Sequence, residues 1–138
     1  MSDQRCRAFM ADLESRNLER VEKWFAPDAV LWMPPTDPIS GARRIAAMFR
    51  VIYRMYAEIH WTVQDVHSIG ANRYIYATDS WGIIGSDTPY KNHILSIIEF
   101  DEQDRIKYLS DYFKDTAIFN SGRRTQMVAP FAAQTDKE

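Results

Sequence analysis

Residues 52–66 read Ile52-Tyr53-Arg54-Met55-Tyr56-Ala57-Glu58-Ile59-His60-Trp61-Thr62-Val63-Gln64-Asp65-Val66, and a change of period inside this stretch decides the fold. Up to it, Ile45, Met48, Phe49, Ile52, Tyr56 and Ile59 recur at steps of three and four, which is the spacing of one apolar helix face. Arg43, Arg50 and Arg54 fall off that face and read as a solvated side. After His60 the apolar period drops to about 2, β-branched and aromatic residues gather in runs, and helical spacing does not return. The chain therefore has a helical front and a β-rich back, an α+β arrangement.

Upstream of this point, Cys6, Phe9, Met10 and Leu13 mark a first helix after the capping-competent Ser2 and Asp3, stopping near Arg16-Asn17. Asn17 can cap a second helix carrying Leu18, Val21, Trp24 and Phe25, which runs into Ala26-Pro27-Asp28 and ends there because proline cannot continue it. Ala29-Val30-Leu31-Trp32-Met33 reads as a short strand broken by Pro34-Pro35, with turn chemistry through Pro38 to Gly41. Downstream, strands are expected over 60–69, 73–84, 90–100 and 105–114, joined by connections short enough for antiparallel hairpins. Ile94-Leu95-Ser96-Ile97-Ile98 is apolar on both faces. One face of the sheet should cover the helices, and the outer face should meet a second copy, giving a homodimer.

The whole chain has 138 residues, 46% of them hydrophobic and 26% charged, as in one ordinary globular domain. By area scaling, about two thirds of the surface is buried on folding, so a core forms without disulfides or metal staples. The net charge of −2 speaks against a dedicated nucleic-acid binder. Cys6 is the only cysteine and cannot form an intrachain disulfide. No long apolar run or signal-type segment is present, so the expectation is a cytoplasmic protein that does not span a membrane. The division expected is one domain over 1–119 and a tail over 120–138, whose Met127, Val128 and Phe131 would fold partly over the domain.

Three helices followed by a curved antiparallel meander, with Phe25-Ala26-Pro27-Asp28-Ala29-Val30, then Pro35, Pro38 and Gly41 before a helix, resemble the nuclear-transport-factor-2-like superfamily. That superfamily includes SnoaL-like polyketide cyclases, ketosteroid isomerase, scytalone dehydratase and limonene epoxide hydrolase. The likeness covers roughly residues 5–119, and the ending Arg105-Ile106-Lys107 through Asp111-Tyr112-Phe113 strengthens it. It implies a cone-shaped sheet wrapped around three N-terminal helices, a cystatin-like α+β barrel. The ketosteroid isomerase general base falls on Met33 and its oxyanion donors on Phe9 and Ser96, so that machinery is absent. The arginine and two aspartates of limonene epoxide hydrolase fall on Ala77, Asp79 and Asp111, and its water-holding asparagine on Met33, which leaves half of a hydrolase site. SnoaL-like cyclases carry a catalytic aspartate on the last strand, where Asp111 stands.

Alternation places Leu109, Asp111 and Phe113 on one face of the last strand, and the resemblance makes this the ligand-facing side. A carboxylate between apolar neighbours should have a raised pKa and act as base or acid near neutral pH; otherwise it is a solvated strand residue. Asp79 shares a face with Ile75, Ala77 and Trp81, and if it meets Asp111 the two can divide the acid and base roles. His60 and Tyr53 are candidate second proton donors, though Tyr53 also suits core packing. The expected cavity lining is Trp32, Met33, Phe49, Ile52, Trp61, Trp81, Ser96, Ile98, Leu109 and Phe113. No pair has metal-ligand spacing, and no phosphate loop or nucleophile elbow is present, so neither a metal nor a cofactor is expected.

The reading that results is a cofactor-independent isomerase, cyclase or dehydratase, a lyase in the last case. It would act by acid–base proton transfer on a hydrophobic, oxygenated small molecule such as a polyketide or terpenoid intermediate of secondary metabolism. The alternatives are an epoxide hydrolase of the limonene epoxide hydrolase type and a non-catalytic dimeric ligand-binding module.

Overall fold

The computed structural model describes residues 2–120. Its elements are α1 (Ser2–Glu14), α2 (Leu18–Lys23), β1 (Phe25–Trp32), β2 (Ile39–Ser40), α3 (Ala42–Met55), β3 (Tyr56–Gly70), β4 (Arg73–Ile84), β5 (Thr88–Phe100), β6 (Ile106–Phe113) and a 3-10 turn, Ala117–Asn120. The strands form one curved, unclosed sheet in the order β2-β1-β6-β5-β4-β3. The helices pack against its inner face, as Phe9, Leu13, Ile45, Met48 and Phe49 share one core with Leu31, Tyr76, Ile98 and Leu109. The expected architecture is present: three helices ahead of a β-rich back, folded as α+β.

One junction differs from a pure antiparallel meander. β1 pairs with β6 in parallel, because the chain leaves β1 through β2 and α3 and approaches again only after β5. Phe25 pairs with Ile106, but regular pairing resumes only at Val30 with Tyr108. Between them stands Pro27, which has no N–H to give to a ladder, so the irregularity falls where the sequence requires it. The second helix is correspondingly shorter than its periodicity implies, since Phe25 already belongs to β1. Asn17 caps this helix as expected, its side-chain oxygen accepting from the Arg20 N–H at 3.2 Å.

The third helix also ends early, at Met55 rather than near Ile59. Tyr56 and Ile59 are buried in β3, and the pairing of β3 with β4 shifts between Tyr56 and Glu58. A bulge there turns a period of 2 into an apparent step of three, which imitates a helix in sequence. Arg16, on the turn after α1, closes the end of α3 by donating to the carbonyls of Tyr53 and, at 3.0 Å, Tyr56.

β4 and β5 alternate cleanly, with Tyr74, Tyr76, Thr78 and Ser80 inward on β4 and Tyr90, Asn92, Ile94, Ser96 and Ile98 inward on β5. The face opposite carries Trp81, Leu95 and Tyr112, all well exposed. No helix among the described residues is long and apolar enough to cross a membrane. The expected tail lies outside the described residues apart from its first residue.

Candidate active site

The inner face of the sheet and the helices enclose a narrow cavity of about 40 Å³, room for on the order of one to three waters with side chains as they stand. Phe9, Met10 and Leu13 of α1 and Phe49 and Ile52 of α3 form one wall. Tyr56, Ile59 and Trp61 of β3, Tyr76 and Thr78 of β4, Tyr90, Ile94 and Ser96 of β5 and Leu109, Asp111 and Phe113 of β6 form the other, with Met33 after β1. Phe119 closes it from the 3-10 turn, edge-on to Phe113 at 5.3 Å between ring centres.

Among the described residues, Asp111 is the only carboxylate in that lining. Its place follows from register: Tyr76 on β4 lies opposite Ser96 on β5, and Ser96 lies opposite Asp111 on β6, so three polar side chains cross three strands in one row. The Ser96 hydroxyl donates to Asp111 Oδ1 at 2.6 Å. Among the described residues no other hydrogen bond reaches this carboxyl, so Oδ2 is left to the cavity. Asp111 keeps partial accessibility, yet the surrounding protein desolvates it enough to push its pKa up to about 6, against the lowering effect of the Ser96 hydrogen bond. Burial also holds the Tyr76 phenol well above its ordinary value, with the Asp111 charge adding to the effect. Tyr76 is therefore a neutral donor at any working pH, and its oxygen stands 3.4 Å from the Met10 sulfur and within hydrogen-bonding reach of Ser96. Tyr76, Ser96 and Asp111 thus form a polar row across the mostly apolar pocket, in which the Asp111 carboxyl can accept a proton at Oδ2 and return it.

Of the residues proposed from sequence, Met33, Phe49, Ile52, Trp61, Ser96, Leu109, Asp111 and Phe113 come together around this cavity. Asp79, Trp32, Trp81, His60, Tyr53 and Ile98 do not. Asp79 lies on the opposite face of the sheet, exposed, where its carboxylate accepts from Gln64 Nε2 and pairs with His93 Nδ1, each at 2.7 Å. The His93 contact holds its pKa below the ordinary carboxylate range. The two aspartates are thus separated by the thickness of the sheet and cannot share a proton. Alternation groups Asp79 correctly with Ala77 and Trp81 but says nothing about which group faces inward, and here the Tyr76, Thr78 and Ser80 set does. Trp81 and Trp32 are half exposed on that outer side and take no part in the lining.

His60 also leaves the cavity to its neighbour Trp61. Its ring is held by Glu14 at 2.6 Å and Glu58 at 3.1 Å, stacks against Trp81, and has a raised pKa from those two carboxylates. Tyr53 donates its hydroxyl to the Leu13 carbonyl at 2.6 Å, fastening α3 to the end of α1, and burial raises its pKa. Ile98 is fully buried in the core away from the cavity. Sequence reasoning missed Tyr76, Thr78, Tyr90 and Phe119. The first two share the alternation of β4, so one correct choice of face would have found them. Among the described residues no group of three or more His, Cys, Asp or Glu side chains gathers where a metal ion could be held.

Comparison with known proteins adds the family. Residues 6–109 match the model of the SnoaL-like domain. No curated protein matches the sequence. Among solved structures, a hypothetical protein of ketosteroid-isomerase-like fold from Catenulispora acidiphila, in complex with trimethylamine, superposes with a TM-score of 0.74 at 16% identity, over 84% of this chain and 89% of that one. SalBIII, described as an epoxide hydrolase/cyclase-like enzyme in pyran ring formation in the polyether salinomycin, gives 0.73 at 9% identity, over 83% and 92%. An NTF2-like protein of unknown function from Exiguobacterium gives 0.72 at 12%, over 84% and 100%. At such identities the likeness is one of fold. With the family model covering most of its length, the chain belongs to the SnoaL-like domain family within the nuclear-transport-factor-2-like superfamily.

Proposed function

We propose that this protein is a cofactor-independent acid–base catalyst, an isomerase, cyclase or dehydratase, for a hydrophobic, oxygenated small molecule such as a polyketide or terpenoid intermediate in the cytoplasm. One observation carries the reading: among the described residues the cavity holds a single carboxyl, Asp111, desolvated to a pKa of about 6 and bonded to the protein through only one oxygen. Asp111 Oδ2 removes a proton from a carbon next to a substrate carbonyl, the electron pair passes to the carbonyl oxygen as an enolate, and the same carboxyl returns the proton at another atom. The Ser96 hydrogen bond keeps Asp111 oriented and moderates its basicity, while the apolar walls exclude water.

The test is Asp111→Asn, which should lower turnover about a hundredfold or more with the fold intact by circular dichroism. Asp79→Asn should leave turnover essentially unchanged. For the wild type, kcat/KM should rise with pH through about 6, as the carboxylate becomes available. Normal turnover in Asp111→Asn would sink the assignment. An epoxide hydrolase mechanism of the two-carboxylate type has little support, because Asp79 is on the far side of the sheet. It would be revived by oxygen from labelled water appearing in product. The narrowness of the cavity is the one feature that speaks for a non-catalytic dimeric ligand-binding module, which predicts ligand binding without conversion.

The outer sheet face supports a homodimer. Leu95 and Tyr112 lie side by side on β5 and β6 at 42% and 53% exposure, flanked by Trp32 and Trp81.

A further inference from the structure

The cavity contains a second polar feature that Asp111 chemistry leaves unused. Thr78 is 1% exposed, lines the cavity from β4, and its hydroxyl oxygen has no hydrogen-bond partner among the described residues. Buried hydroxyls are nearly always satisfied, and an orphan costs free energy unless something else bonds it. Its surroundings are apolar: register places it beside Ile94, which is itself opposite Phe113. Thr78 sits two residues along β4 from Tyr76, the residue at the head of the row that ends in Asp111. Resting on the proposed role of Asp111, we propose that Thr78 is a specificity-determining residue that binds a second oxygen of the ligand while Asp111 engages the first.

The sheet itself fixes the span. Thr78 and Asp111 are two strands apart and offset by two residues, which puts their Cα atoms about 12 Å apart by ordinary strand spacing. Both side chains point into the concavity, and each hydrogen bond takes up about 2.8 Å, so the two ligand oxygens stand on the order of 6 to 8 Å apart. This is the reach of one ring or two fused rings with an oxygen at each end. A rigid carbocycle oxygenated at both ends meets this span, and because it exceeds the 40 Å³ open with side chains as they stand, the apolar lining must yield to admit it. One oxygenated at a single end leaves Thr78 unsatisfied. Such discrimination is strong because a buried polar group penalises the analogue that lacks its partner.

The experiment uses binding rather than turnover, so that it is independent of whether Asp111 catalyses. By titration calorimetry, 2-naphthol and 2,6-naphthalenediol are compared on the wild type, Thr78→Val and Thr78→Ser. The wild type and Thr78→Ser should bind the diol about fivefold or more tightly than the naphthol, the ratio expected for one added hydrogen bond. Thr78→Val, which keeps the shape and removes the hydroxyl, should bind the two equally and melt no lower than the wild type. A diol advantage that persists in Thr78→Val, or that is absent from the wild type, overturns the proposal while a turnover loss in Asp111→Asn stands. Failure of both compounds to bind the wild type overturns it together with the reading of the cavity as a ligand site.

Discussion

Ionising Asp111 inside the cavity works against the fold that holds it. Its pKa rises from 3.8 to about 6, so between those values the folded chain keeps a proton that the unfolded chain has released. Stability from the neutral carboxyl is therefore full below about pH 4 and is lost as pH rises through about 6. Above that the charge costs roughly 3 kcal/mol. Asp111→Asn removes the cost, and the variant should melt several degrees above the wild type at about pH 8 but close to it at about pH 4. Equal shifts at the two pH values would mean that the carboxyl is not desolvated. In the role proposed for Asp111, the form that destabilises the scaffold is the form that accepts the proton. Asp111 is legible in the sequence because its strand has an unambiguous apolar partner on either side, Leu109 and Phe113. Asp79 lacks such a guide: Ile75, Ala77 and Trp81 look as apolar as the Tyr74 and Tyr76 set that actually faces inward. On a strand apolar on both faces, hydropathy fixes the grouping and leaves the direction open.

The long strands β3 and β4 owe their geometry to irregular points rather than to propensity. Gly82 on β4 stands so close to β3 that a Cβ there would lie 2.0 Å from the Glu58 carbonyl oxygen. The approach occurs at the bulge between Tyr56 and Glu58, the irregularity that turns Tyr56, Ile59 and Trp61 toward the cavity. Gly82→Ala must push β3 away, and it should cost about 2 to 4 kcal/mol in urea unfolding, far more than alanine in an exposed strand. A cost under about 1 kcal/mol would show that the strands can separate freely. A further tie fixes the start of β3 against α1, with Glu14 binding both the His60 ring and the Trp61 N–H, the latter at 2.9 Å. His60 is thus a structural anchor whose neighbour serves the site. The order of elements is readable from periodicity, but the helix end at Met55 is hidden, because a bulged strand and a helix can show the same apolar step over a few residues.

The molecule as a whole is a sheet with two unlike faces. The inner one is closed by helices around the cavity. The outer one shows Trp32, Leu95, Tyr112 and Trp81 to solvent, with the Asp79–His93 pair beside Trp81. If a second copy covers this face, Leu95→Asp should shift the protein from dimer to monomer in size-exclusion chromatography with light scattering, leaving ligand binding in the cavity unchanged. A wild type that elutes as a monomer at micromolar concentration would exclude the arrangement.

The parallel pairing of β1 with β6 also governs the order in which the molecule comes into being. Met33 and Asp111 line one cavity because the first long strand and the last one are stitched together there, Leu31 beside Leu109. A nascent chain emerging from the ribosome can form α1, α3 and the β3–β4 hairpin early, yet it must wait for β6 before the core is sealed. Until then it carries an apolar trough with no acid in it, so the step that completes the fold is also the step that delivers the carboxyl of Asp111.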